Sequence, residues 1–278
     1  MTGDQLDCAG KLLDLSQPQV MGILNVTPDS FSDGGVFLAP AQAMAHAQAM
    51  VEAGAAIIDV GGESTRPGSA PVSVDEELRR VLPVIEALTA SVSVPISIDT
   101  QKPAVMRAAV AAGAGLINDV NALQADGAVG AAVESGVPVC LMHMQGIPEG
   151  MQDNPHYEDV VDEVAGFLTA RAAACETAGI PAERIVLDPG FGFGKTVEHN
   201  LMLLRHLDRL VALGYPVLAG LSRKSLIGKV LDLPVDKRLY PGIALSVLAV
   251  WQGVSIIRTH DVRETREAIQ MCRAVRDI

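Results

Sequence analysis

The chain has 278 residues, 49% of them hydrophobic and only 3% aromatic, and so it can bury a sizeable core. Disordered, collagen-like and disulfide-scaffold classes are thereby excluded. With 33 acidic against 21 basic side chains the net charge is −12, which argues against a surface built to track a phosphate backbone, and no nucleic-acid partner is expected.

Residues 1–19 read as an N-terminal extension. They carry Asp4, Asp7 and Asp14 and lack a basic segment followed by an apolar one, so they do not read as a signal peptide. Short β-branched apolar runs then recur at 20–24, 56–60, 95–98, 116–117, 137–142, 184–187, 216–218 and 255–257. Stretches of helical period follow them, at 41–53, 75–90, 103–112, 159–178, 197–213 and 263–276. Several open with helix-start chemistry, such as Ser73 ahead of Glu76, or Thr100 before Lys102-Pro103. No linker or charge block divides the chain after residue 19. Eight strand–helix units in one undivided domain, 20–278, predict an α/β fold, a single (β/α)8 TIM barrel rather than a doubly wound sheet, with its active site at the C-terminal face of the strands.

No apolar run reaches the roughly 18 residues that a membrane span needs, so no membrane partner is expected. Cys8, Cys140, Cys175 and Cys272 are scattered, with no C-x-x-C pair and no His at ligand spacing. Neither a disulfide framework nor a zinc site is expected, and the thiols suit a reducing, cytoplasmic location.

The residues that close the runs carry the functional signal. In order they are Asn25, Asp59, Asp99, Asn118 with Asp119, His143, Asp188, Ser222 with Arg223 and Lys224, and Arg258 with His260. A lone Asp at a strand end is often a helix cap, but packing gives no reason for a polar residue at every one. In a barrel they would all meet on one rim. The loops 25–35 and 61–68 are polar, Gly-rich and long enough to act as lids. The stretch 188–196, DPGFGFGKT, resembles a phosphate-binding loop but fails the pattern: Pro189 replaces the first glycine. Nucleotide hydrolysis is rejected, leaving a flexible turn with two aromatic faces, suited to a flat ring.

Arg66, Lys224 and Arg258, with His260, form a cationic focus in an acidic protein and imply an anionic end to the ligand, a phosphate or pyrophosphate. Asp99 and Asp188 on the same rim suit the N–H donors of a guanidine-like heterocycle edge, or a developing cation. His46, His156, His199 and His206 lack acidic partners at ligand spacing and read as surface or capping residues.

Eight ordered segments carry a resemblance. MGILNVTPDSFSDGG (21–35), IIDVGGESTRPG (57–68), SIDT (97–100), INDV (117–120), LMHMQG (141–146), DPGFGFGK (188–195), GLSRKS (220–225) and RTHDV (258–262) closely resemble dihydropteroate synthases. The resemblance implies condensation of 7,8-dihydropterin-6-ylmethyl diphosphate with 4-aminobenzoate to 7,8-dihydropteroate and diphosphate, a step of folate biosynthesis. It places Asp99, Asn118, Asp188 and Lys224 in the pterin pocket with Met142 packing on the ring, and Gly220 is a further expected substrate-binding residue. It places Arg258, His260 and Asn25 at the diphosphate, Asn25 also holding Mg2+. Thr65, Arg66, Pro67, Phe193, Ser222 and Lys224 would surround the aminobenzoate, where sulfonamides should compete. Asp99, Lys224, Arg258 and His260 are the expected catalytic residues, and a homodimer is the expected assembly.

The mechanism implied is dissociative: Mg2+ and the Arg258/His260 cluster stabilise departing diphosphate while Asp99 stabilises the pterin cation, with no protein nucleophile. Two departures from the family pattern are Lys237 to Ile243 ahead of a helix and Thr259. A pterin-binding methyltransferase of the same fold is the nearest alternative, but it needs neither the 65–68 loop sequence nor the Ser222-Arg223-Lys224 cluster. A catalytically silent pterin-binding paralogue is the other, and intact chemistry-bearing positions count against it.

Overall fold

The computed structural model describes residues 5–27, 35–64, 69–147 and 150–278, with the side chains of the first helix from Ala41 onward. A hairpin comes first, β1 (Gln5–Cys8) and β2 (Lys11–Asp14), paired antiparallel. Eight parallel strands follow: β3 (Gln19–Asn25), β4 (Ile57–Gly61), β5 (Ile96–Asp99), β6 (Leu116–Asp119), β7 (Val139–Met142), β8 (Ile185–Asp188), β9 (Leu218–Gly220) and β10 (Ile256–Thr259). Their order is β8-β7-β6-β5-β4-β3-β10-β9. The two ends of that row meet through a parallel bridge between Leu187 and Val217, where Leu187 N–H donates to Pro216 O at 2.9 Å. The barrel is therefore closed, as the eightfold alternation predicts, and each of the eight apolar runs contains or overlaps one strand.

The outer layer consists of α1 (Gly35–Glu52), α2 (Val74–Ser91), α3 (Pro103–Ala111), α4 (Ala128–Ser135), α5 (Val160–Thr177), α6 (Val197–Arg205), α7 (Leu207–Val211), α8 (Ser225–Leu231), α9 (Leu239–Trp251) and α10 (Val262–Arg276). Helix α2 shows why such segments fold. Ser73 caps it by accepting from Glu76 N–H, Asp75, Glu76 and Glu77 complement its dipole, and Val81, Val84, Ile85 and Leu88 bury one face. The helix expected over 197–213 is two: His206 leaves helical geometry at φ −116°, ψ 30° and divides α6 from α7. No helix among the described residues is long and apolar enough to cross a membrane.

Strand side chains alternate between two environments. Ile58, Val60, Ile96, Ile98, Ile117, Val139 and Leu187 face the helices and belong to the main core. Met21, Ile57, Leu116, Cys140, Val186, Leu218 and Ile256 face inward and form a second apolar layer. Leu6, Cys8 and Leu13 of the hairpin join that inner layer, so the first strands close the barrel at the end opposite its C-terminal rim. The approach is close: a Cβ on Gly115 would lie 2.4 Å from Cys8 O. All four cysteines are buried and unpaired.

Candidate active site

Two residues beyond the inner apolar layer the inward side chains of four strands are polar: Asp59, Asn118, Asp188 and Arg258. Strand register sets them level: Asn25 pairs with Gly61, Gly61 with Asp99, and Asp99 with Asn118. Met142 pairs with Asp188 and Gly220 with Arg258. Asp99, Asn118, Met142, Asp188, Phe193, Gly220, Lys224 and Arg258 line one cavity with Val120, Gly190 and Phe191. The structure thus gathers eight of the residues expected at the site from the ends of six strands and the loops that follow them.

Arg258 lies at the centre of the charges. Its Nε donates to Asp59 Oδ2 at 2.6 Å and its Nη2 to Asp99 Oδ2 at 2.8 Å. Burial works against the guanidinium, but the two carboxylates more than offset this and hold its pKa above the ordinary range. Burial pushes Asp99 up to about 7; Arg258 opposes the rise, while Asp59, Asp119 and Glu77 add to it. Asp188 is also raised by burial, although its Oδ1 accepts Gly190 N–H at 2.7 Å. Lys224 is lowered to about 8 by burial, and its Nζ lies 4.4 Å from the Phe193 ring centroid.

Asn25 stands at the rim beside Asp99: a Cβ built on Gly61 would lie 3.7 Å from Asn25 Oδ1 and from Asp99 Oδ2. Ser222 and His260 lie in adjoining loops and meet each other, Ser222 Oγ to His260 Nδ1 at 3.1 Å. Arg223, with φ +56°, is fixed by its ion pair to Asp261. Thr65, Arg66 and Pro67 lie outside the described residues. Asp119 is turned away from ligand duty, since its carboxylate accepts the N–H groups of Asn121 and Leu123 and shapes the β6–α4 loop.

Two participants carry no assignment in the sequence reading beyond their place in it. Asp59, fully buried, holds Arg258 and also accepts from Asn118 Nδ2 at 3.1 Å. Its position as a charged residue inside an otherwise apolar strand, I-I-D-V-G, was the available signal. Lys195 is 2% exposed. Its Nζ meets His143 Nδ1 at 2.9 Å, Gly190 O at 2.9 Å and Phe193 O at 3.0 Å. Burial lowers Lys195 to about 7 and, with Lys195 alongside, lowers His143 to about 3, so that the imidazole is neutral and accepts through Nδ1. The β8–α6 turn, expected to be flexible, is therefore pinned. Gly192 N–H donates to Asn200 Oδ1, Tyr157 Oη donates to Gly194 O, and a Cβ on Gly190 would fall 1.9 Å from His143 O.

The chemistry available is that of a buried acceptor-rich floor, a lysine and an aromatic ring at its side, and an arginine shared between carboxylates. Among the described residues no group of three or more His, Cys, Asp or Glu side chains could enclose a metal by itself.

Comparison with known proteins agrees with this arrangement. Residues 21–260 match the family described as pterin binding enzyme. The dihydropteroate synthase of Escherichia coli (strain K12) is 53% identical over 270 residues, 97% of this chain and 96% of that protein. The solved structure of Xanthomonas albilineans dihydropteroate synthase with 4-aminobenzoic acid has 52% identity and a TM-score of 0.95, each chain covered in full at 100%. That of Yersinia pestis dihydropteroate synthase with a sulfonamide drug complex has 51% identity and a TM-score of 0.94, over 99% of this chain and 100% of the other. With its polar strand ends set in one rim and this likeness running from end to end, the chain belongs to the dihydropteroate synthase family of pterin-binding enzymes.

Proposed function

We propose that this transferase condenses 7,8-dihydropterin-6-ylmethyl diphosphate with 4-aminobenzoate, giving 7,8-dihydropteroate and diphosphate. The observation that carries the reading is the cavity floor, where Asp99, Asn118 and Asp188 converge with Lys224 and Arg258. Acceptors so placed match the 2-amino and ring N–H donors of a pterin, and Met142 offers apolar contact to its face.

The reaction breaks the bond between the pterin methylene carbon and the diphosphate oxygen, whose electron pair leaves with diphosphate. Asp99, ionised and buried, stabilises the cation left on the pterin. Arg258 and His260 stand where the diphosphate departs. The aminobenzoate nitrogen then bonds to the methylene carbon and gives up a proton, so that no protein nucleophile takes part. Thr65, Arg66, Pro67, Ser222 and Lys224 are the residues assigned to the aminobenzoate, with the Phe193 ring against it. Asn25 suits Mg2+: its amide oxygen is a hard donor at the rim, and this ion takes one or two protein oxygens alongside substrate phosphates. When bound there, Mg2+ supplies neutralising charge to the diphosphate.

Sulfonamides, alike in shape and charge to 4-aminobenzoate, are proposed to compete for its place. A homodimer and a cytoplasmic location complete the reading. Tyr240, Leu248 and Trp251 leave an apolar stripe exposed along α9, and Met271 and Val275 continue it on the adjacent α10. Purified protein given the pterin diphosphate, Mg2+ and 4-aminobenzoate should yield dihydropteroate and diphosphate in equal amounts. A sulfonamide should raise the apparent KM for aminobenzoate without lowering kcat. Release of diphosphate with no dihydropteroate formed would refute the assigned reaction.

A further inference from the structure

Asp59 is buried between two residues of the pterin site and touches both. Its Oδ2 receives Arg258 Nε at 2.6 Å and Asn118 Nδ2 at 3.1 Å. A carboxylate can only accept, so the Asn118 amide must turn its nitrogen to Asp59 and its oxygen the other way. Asn118 lines the cavity, and the atom left to the cavity is therefore an acceptor. Arg258 is constrained in the same manner. With Nε held on Asp59, the planar guanidinium is fixed as a unit with its outer nitrogens turned away from Asp59, and one of them rests on Asp99. We propose that Asp59 is a positioning residue for pterin recognition, which sets the Asn118 amide as an acceptor and anchors Arg258 at Nε so that its outer nitrogens serve Asp99 or the leaving group.

This inference rests on the functional reading above and deepens it. Asp59 touches no ligand in this scheme; it acts through Asn118 and Arg258. Its place explains why a carboxylate is needed and an amide would not do. An Asn in its position could offer its own N–H2 to Asn118, which would let the neighbouring amide flip and present a donor to the pterin edge. It would also remove the charge that holds Arg258 at Nε. Among the described residues the second carboxylate oxygen, Oδ1, has no hydrogen-bond partner, and neither does Ser97 Oγ, whose residue is paired in register with Asp59 on the neighbouring strand. The partners that the carboxylate does have are both site residues, Asn118 and Arg258.

The test compares wild type with Asp59→Asn, an isosteric change, in two assays. Calorimetric binding of 6-hydroxymethyl-7,8-dihydropterin, without diphosphate or metal, should weaken at least tenfold. In turnover, KM for the pterin diphosphate should rise at least tenfold while KM for 4-aminobenzoate stays within twofold. Preference for the pterin over its analogue lacking the 2-amino group should shrink by a similar factor. Should Asp59→Asn not fold, Asp59→Ser, which leaves room for water, carries the same expectations. Unchanged pterin binding in the folded variant, or equal rises in both KM values with unchanged preference, would overturn the positioning role. The binding assay needs no turnover. A wild type that bound the pterin yet made no dihydropteroate would count against the assigned reaction, while the tenfold loss would still decide the role of Asp59.

Discussion

Burial is the main cause that raises the Asp99 carboxyl to about 7, and Arg258 is the group that pulls it back toward ionisation. Stabilisation of a cation needs the ionised form, which predominates above about pH 7 and is also the stronger acceptor for pterin N–H donors. Lys224 is charged below about pH 8. The profile of kcat/KM for the pterin diphosphate should therefore be a narrow bell with its maximum between these values. Arg258→Met should move the acid limb to higher pH, because it removes the charge that lowers Asp99, and Lys224→Met should abolish the alkaline limb. An acid limb near pH 4, the ordinary carboxylate range, would refute the assignment to Asp99. Most of the site was legible because polar residues end strands that are otherwise apolar. The partnership of Asp59 was not, since Arg258 lies 199 positions away and only closure of the barrel makes them neighbours. Lys195 was hidden for another reason: its partners at Gly190 and Phe193 are carbonyls, which every residue has.

The β8–α6 connection shows how a single side chain can organise a loop. An ammonium has three donors, and Lys195 spends them on His143 Nδ1 and the carbonyls of Gly190 and Phe193. Lys195→Met keeps the length of the chain but strands those acceptors in a buried place. A loss of about 2–4 kcal/mol in denaturant unfolding is expected, less than three full desolvation penalties because the cost of burying the cation disappears as well. Turnover should fall with it, because Phe193 and Asp188 sit on the segment so held. Stability equal to wild type would show that the loop is held by its other bonds alone. Helix boundaries were readable where caps exist, as at Ser73 for α2 and at Asp159 for α5. The break at His206 carried no such signal: neither Gly nor Pro marks it, and the apolar pattern of α6 and α7 runs on through it. The ammonium of Lys195 likewise makes rigid a glycine-rich turn that composition alone presents as flexible.

The barrel count was legible from the alternation of runs, because each strand of a parallel barrel is buried on both faces and reads as unbroken apolar sequence. The role of the hairpin was not, since two short strands with alternating exposure resemble any surface ribbon. Leu13, buried in the inner layer, tests it. Leu13→Ala should cost about 2–5 kcal/mol of stability by opening a cavity under the barrel. Both KM values should stay as they are, because the apolar layer separates the hairpin from the rim. On the outside, Leu248→Asp together with Trp251→Asp should convert the proposed dimer to monomer in sedimentation, with the melting temperature of the monomer reported in the same samples. A wild type that sediments as a monomer at micromolar concentration would refute the dimer. The level row of strand ends also bears on how such an enzyme can diverge. Its reading atoms ride on backbone ladders, whereas Phe193 and Ser222, proposed to meet the second substrate, stand on connecting segments. A lineage can lengthen, trim or exchange those segments, and so admit or refuse a drug that imitates the aromatic amine, while the pterin floor beneath stays as it was.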